Sequence, residues 1–194
     1  MTNDPRPLFA RATEQAAELI RSVRAEQLDG PTPCSEFDVR TLLSHLTGAT
    51  HRVAVVAEGG DAVAVRPFAE GVPDDGWTAA YDEARTRAVK AWAGDDLLDA
   101  VVRLPFGEMP GRAAMSAYVL ETVTHTWDLS EALGHPRELD PELAAFALTV
   151  AQRMLPDEQR DENTPFATAR PAPEGADVYG RLAAWLGREP LSRA

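Results

Sequence analysis

The stretch LETVTHTWDL, residues 120–129, decides how this chain is read. Written as a helix, it sets Glu121 and His125 four apart. They then differ by ~40° around the axis and project together. Leu120, Val123, Trp127 and Leu129 surround them, so an acid and an imidazole share a stripe of an otherwise apolar helix. E-x-x-x-H alone is common as a solvated pair. Buried without a metal, both groups would need hydrogen-bond partners. Tyr118 and Asp128 fall on the same stripe at spacings of three. Tyr118 reads as packing. Asp128 reads either as an acceptor that orients His125 or as the ion-pair partner of an arginine elsewhere.

This helix starts near Gly111 and ends at Gly134, a C′ glycine followed by Pro136. Upstream, Pro7 to Leu28 carries Leu8, Ala12, Ala16, Leu19 and Val23 at spacings of three and four, which draws one apolar face. SEFD offers Ser35 as N-cap and Asp38 at N3 of a second helix running to about Glu58. Its buried stripe reads Leu42, His45/Leu46, Ala49, Val53 and Val56, so His45 faces the core. A Gly/Pro/Asp-rich loop follows, then a third helix from Trp77 to about Ala93. Val101 and Arg103, with Pro105, Phe106 and Gly107, predict two short extended pieces around a turn within residues 99–110. Downstream, Asp140 as N-cap and Pro141 at N1 open a fifth helix. A polar, proline-rich segment of about twenty residues follows, long for a compact domain. VYGRLAAWLG is a last short helix.

Four long helices with apolar faces predict an all-α four-helix bundle. It would form one domain, with a core over about residues 7–134 and an extension over about 135–194 that packs outside. Trp77, Trp92, Trp127 and Trp185 read as core. Such a bundle can bring His45 together with Glu121 and His125. Two imidazoles and a carboxylate suit a divalent transition metal; zinc accepts this set and keeps a fourth position for water or substrate. Nickel, iron and copper also accept imidazole. His51 and His135 are expected to face solvent. Cys34, just before a helix N-terminus, could be an activated thiol. It lies eleven residues from His45, ~16 Å along a regular helix, so it is expected to be a structural thiol and not a ligand.

The 194 residues carry a net charge of −12 with no Lys/Arg-rich stripe, which argues against nucleic acid. No apolar run approaches a membrane span, and MTNDPRPLFARATE has no apolar signal region, so a cytoplasmic, membrane-independent protein is expected. One cysteine excludes an internal disulfide and Cys-rich zinc sites.

PTPCSEFDVRTLLSHLTGATHRV, LPFGEMPG and LETVTHTWDLSEALG resemble the DinB/YfiT-like metalloenzyme superfamily. The nearest likeness is to its actinobacterial metal-binding branch, related to the N-terminal domain of mycothiol-dependent maleylpyruvate isomerase. PFATARPAP and RLAAWLGREP extend the likeness to almost the whole chain. The branch's DLLxHL corresponds to Thr41 through His45 to Leu46, and its HGWDLA to His125 through Ser130; Thr126 and Ser130 depart from it without touching a ligand. The resemblance implies a DinB-like bundle with a metal triad at His45, Glu121 and His125, where related proteins use three histidines. It implies zinc as the metal, mycothiol as a thiol cosubstrate, and transferase or isomerase chemistry on a small molecule. It also suggests a homodimer by analogy. The isomerase carries a further C-terminal domain that this chain is expected to lack. The alternatives are a non-catalytic metal-binding or ligand-sensing protein, and a hydrolase using metal-activated water.

Overall fold

The computed structural model describes residues 4–134, 138–160 and 166–191; His135 and Pro136 lie outside them. The element order is α1 (Arg6–Ile20), α2 (Val39–Ala57), α3 (Trp77–Ala91), a single turn α4 (Asp96–Asp99), β1 (Val101–Leu104), β2 (Gly107–Pro110), α5 (Gly111–Leu133), α6 (Pro141–Met154) and α7 (Val178–Trp185). The four long helices α1, α2, α3 and α5 form the bundle. In it α1 packs on α5 and α3, while α2 packs on α3 and α5. On its outer side α5 carries α6, and α6 carries α7. The expected all-α architecture with a short hairpin is therefore present.

α5 is the axis of the molecule. Every residue from Thr122 to Ser130 is buried, whichever way it points. A helix buried all round lies inside the fold, and here it packs against α1, α2 and α6. The hairpin pairs Val101 with Pro110 and Leu104 with Gly107, and delivers the chain into α5. Gly111 starts α5 where a Cβ would stand 1.9 Å from the Leu97 carbonyl oxygen, so only glycine fits the joint. Gly134 ends it in the left-handed region (φ 59°), the C′ role expected of it.

Two boundaries differ from the sequence reading. α1 stops at Ile20 rather than continuing to Leu28. Leu28 is fully buried, but it arrives through a separate 3₁₀ turn over Ala25–Gln27. Ser35 does not cap α2; Asp38 does, its Oδ1 accepting from the Thr41 amide at 2.7 Å. The chain between them is a turn held by the Thr32 hydroxyl, which donates to the Phe37 carbonyl at 2.7 Å. Pro31 bridges to Asp38, leaving Asp38 extended (ψ 174°) as an N-cap requires. α6 opens as expected, with Asp140 accepting from the Glu142 amide at 3.0 Å and Pro141 in the first turn.

Candidate metal centre

His45 sits two turns into α2, and Glu121 and His125 one turn apart on α5. Packing of α2 on α5 brings the three together: one ligand atom from each lies within 4.8 Å of the others. His45 Nε2 is 3.2 Å from Glu121 Oε1. A tetrahedral cation with ligand bonds of ~2.0–2.1 Å needs edges of about 3.3 Å. One edge already has that length, and the set closes with side-chain shifts of an ångström or so. Among the described residues, this is the group of His, Cys, Asp and Glu side chains that could hold an ion.

The cluster is enclosed but not sealed. His45 and His125 side chains are 12% and 8% exposed, whereas Glu121 keeps 37%, so the cluster opens along the Glu121 side chain. A cavity of about 10 Å³ lies against all three, walled by Leu46, Val53 and Tyr118. That is room for an ion or a single water.

Each ligand candidate has its own support. His125 Nδ1 is 3.0 Å from Asp128 Oδ2. An ionised carboxylate only accepts, so Nδ1 carries the proton and Nε2 presents its lone pair. Asp128 is fully buried, and both its oxygens accept from Arg188 Nε, at 2.8 and 3.0 Å. The two readings weighed for Asp128 are thus both realised at once. The Arg188 guanidinium lies over the Phe166 ring, 5.4 Å from its centre. Burial pushes the His125 pKa down and outweighs the pull of Asp128, so the imidazole is neutral near pH 7. Burial works against the Glu121 carboxylate. Its hydrogen bond with His45, helped by the electrostatic pull of the two imidazoles and Arg52, prevails and leaves its pKa below the ordinary glutamate value.

Aromatic rings pack around His45. Phe37 and Phe68 stand 5.3 and 5.2 Å from its ring, centre to centre, and 5.7 Å from each other. Phe37 is presented by the turn that ends in the Asp38 cap. Phe68 belongs to a strap laid along α2: Ser44 Oγ donates to the Ala69 carbonyl at 2.8 Å, the Ala69 amide returns to the Ser44 carbonyl at 3.0 Å, and Arg52 Nε donates to the Val65 carbonyl at 3.0 Å. Gly48 permits that approach, because a Cβ there would lie 2.5–2.6 Å from Phe68 backbone atoms. Beyond Phe68 a wider groove of about 410 Å³ opens between α2, α3 and the strap.

A family model described as the mycothiol maleylpyruvate isomerase N-terminal domain matches residues 9–130. The chain belongs to that family. The match spans His45, Glu121 and His125 together. Two uncharacterized proteins of Mycobacterium tuberculosis, from strains CDC 1551 and H37Rv, are each 36% identical over 185 residues, covering 95% of this chain and 98% of theirs. No solved structure matches. The family match ends before Arg188, which therefore enters the centre from outside the matched region.

The remaining residues singled out in the sequence fall as follows. Cys34 is not in the cluster. It is half-buried in the turn before α2, and burial raises its pKa, with Arg188 pulling it down and Asp128 pushing it up to a lesser degree. His51 is partly buried rather than free in solvent; its Nδ1 is 3.1 Å from Arg87 Nη1 at the wider groove. Trp77, Trp92 and Trp127 are buried, while Trp185 is partly so. Tyr118 packs edge-on against Trp92 and also lines the small cavity. Sequence reasoning missed Arg188, Phe37, Phe68 and Arg52. Among the described residues no helix is long and apolar enough to cross a membrane.

Proposed function

We propose that this protein is a metal-dependent enzyme of small-molecule thiol chemistry, of the mycothiol-dependent transferase or isomerase kind. The observation that carries it is the approach of His45, Glu121 and His125 to one another, with one side open and, among the described residues, no fourth protein ligand in the group. A closed structural site would supply that fourth ligand; a catalytic one leaves the position to substrate. The chemistry of the donors suits zinc, and the family description supplies mycothiol as the thiol class.

A cation there would supply Lewis acidity, favouring the thiolate of a bound thiol over the thiol at neutral pH. The chain's own groups do the rest. Asp128 fixes the His125 ring and the tautomer that leaves Nε2 free. Glu121 remains anionic through its neighbours, so the cluster offers one negative charge beside its imidazole nitrogens. Phe37 and Phe68 keep water from the His45 side. A thiolate nucleophile is what such chemistry needs, because a free thiol near its ordinary pKa of ≈ 8.5 is mostly protonated at pH 7. We place this chemistry in the cytoplasm, where low-molecular-weight thiols stay reduced.

The test has two stages. Protein purified without a histidine tag is analysed for metal, with about one ion per chain expected, lost in His45→Ala and in His125→Ala. The loaded protein is then offered mycothiol with a panel of electrophiles, and loss of free thiol is followed. Full loading without turnover on any thiol would leave a metal-binding sensor as the better account. Absence of metal under all loading conditions would end the proposal.

A further inference from the structure

We propose that Tyr118 is a catalytic residue of this centre, its hydroxyl donating a hydrogen bond to the exogenous anionic ligand that takes the open position beside the triad. The inference rests on the cation reading above and adds the residue that recognises what the cation holds.

Tyr118 stands one turn before Glu121 on α5 and lines the same cavity as His45, Glu121 and His125. Only 5% of it is exposed. Its ring is fixed edge-on against Trp92, 6.2 Å between centres, and Trp92 is itself anchored by a 2.9 Å hydrogen bond from Nε1 to the Val53 carbonyl. The hydroxyl is buried and has no hydrogen-bond partner among the described residues. Buried polar groups are ordinarily paired, and each exception asks for a reason. Two neighbouring hydroxyls meet the rule: Thr124 donates to the Leu120 carbonyl at 2.8 Å and Thr126 to that of Thr122 at 2.6 Å. Among the described residues Tyr81, Trp77 Nε1 and Trp185 Nε1 share this condition but line neither the cavity nor the groove, and His45 Nδ1, also unpaired, belongs to the triad itself.

Leu46, Ala49 and Val53 of the cavity wall cannot donate; Thr50 and Thr122 also line it, but among the described residues Tyr118 is the lining residue whose buried hydroxyl stands unpaired. A phenol is protonated at neutral pH and donates one hydrogen bond. The cavity it shares with the triad has the size of one small ion or water, so a small ligand atom admitted there lies against the phenol. Arg52 adds a positive charge that acts on both Glu121 and Tyr118, which favours an anion on this side. Donors preset where negative charge must reside are the usual means of holding a reactive anion in a dry site.

The test uses the full chain, wild type and Tyr118→Phe, loaded with cobalt(II) and titrated with azide while the visible cobalt bands are followed. Cobalt stoichiometry and affinity are expected to agree within about threefold, because the phenol is not a ligand. Azide affinity is expected to fall by about tenfold, the effect of losing one hydrogen bond to a charged group. The cation-free variant is expected to melt no lower than wild type, since an unpaired buried hydroxyl has been removed. Azide affinity within about twofold of wild type on cobalt-loaded Tyr118→Phe would overturn the inference alone. So would wild type that takes cobalt but no azide. Wild type that takes no cobalt would overturn the cation reading, and this inference with it.

Discussion

Arg188 and Asp128, sixty residues apart in sequence, form a buried ion pair in which one Nε–H is shared by both carboxylate oxygens. The same carboxylate accepts from His125, so a residue of the chain's C-terminal part sets the posture of a residue on the central helix.

Removing the arginine leaves a fully buried carboxylate with His125 as its remaining partner. Breaking a buried pair on one side costs ~3–5 kcal/mol. At roughly 2–4 °C per kcal/mol for a chain of this size, Arg188→Met is expected to lower the melting temperature by about 10 °C in calorimetry. A change within about 2 °C would mean that the pair carries no such energy.

Removing the carboxylate tests orientation. Asp128→Ala frees the His125 ring and its tautomer, and such losses cost ~10–100-fold in metal affinity. Competition for zinc against a chromophoric chelator measures this directly. Equal affinity in variant and wild type would detach Asp128 from the centre's assembly.

Gly48→Ala drives a Cβ into the Phe68 backbone, which cannot yield as a flexible side chain would. Overpacking of this kind costs ~1–3 kcal/mol. Because Phe68 packs on His45, the displacement reaches the cluster. The expected outcome is a lower melting temperature together with altered visible bands of the cobalt form. A destabilised variant with unchanged bands would show that the strap shapes stability only.

Asp38 provides the pH test. Hydrogen bonds from Thr41 hold its pKa below the ordinary aspartate value. A carboxyl depressed in the folded chain contributes stability above its unfolded pKa, near 3.9. That contribution is lost as pH falls through the folded value. Asp38→Ala is expected to cost ~1 kcal/mol, constant between about pH 8 and 5, with the gap to wild type closing below about pH 4. Melting curves of both proteins across that range decide it. A gap that persists undiminished at pH 2.5 would contradict the capping role.

The bundle was legible because its helices carry local signals. The apolar setting of Glu121 and His125 pointed to a buried α5, and Asp140–Pro141 and Gly134 marked helix ends through backbone chemistry any sequence displays. The boundary of α1 was not legible: Leu28 lies on the helical spacing, yet a 3₁₀ turn delivers it to the core, and periodicity does not distinguish the two routes. Ser35 and Asp38 are both good caps. The choice falls to the pairing of Pro31 with Asp38, a contact no spacing rule contains. At the candidate centre, the residues on α2 and α5 could be placed because helix phase fixes direction. Arg188, Phe37 and Phe68 lie in turns and straps, where the chain has no period and position depends on what it lies against.

The placement of Arg188 joins two events that would otherwise be separate. It follows α7, and its guanidinium reaches the carboxylate behind His125. Any ion that favours the fixed posture of His125 must then hold the α7 segment down more firmly, and docking of that segment must tighten the grip on the ion by the same factor, since linkage is reciprocal. Exchange of the α7 amide protons is then expected to slow as the centre fills, a gauge of occupancy read far from the ion itself.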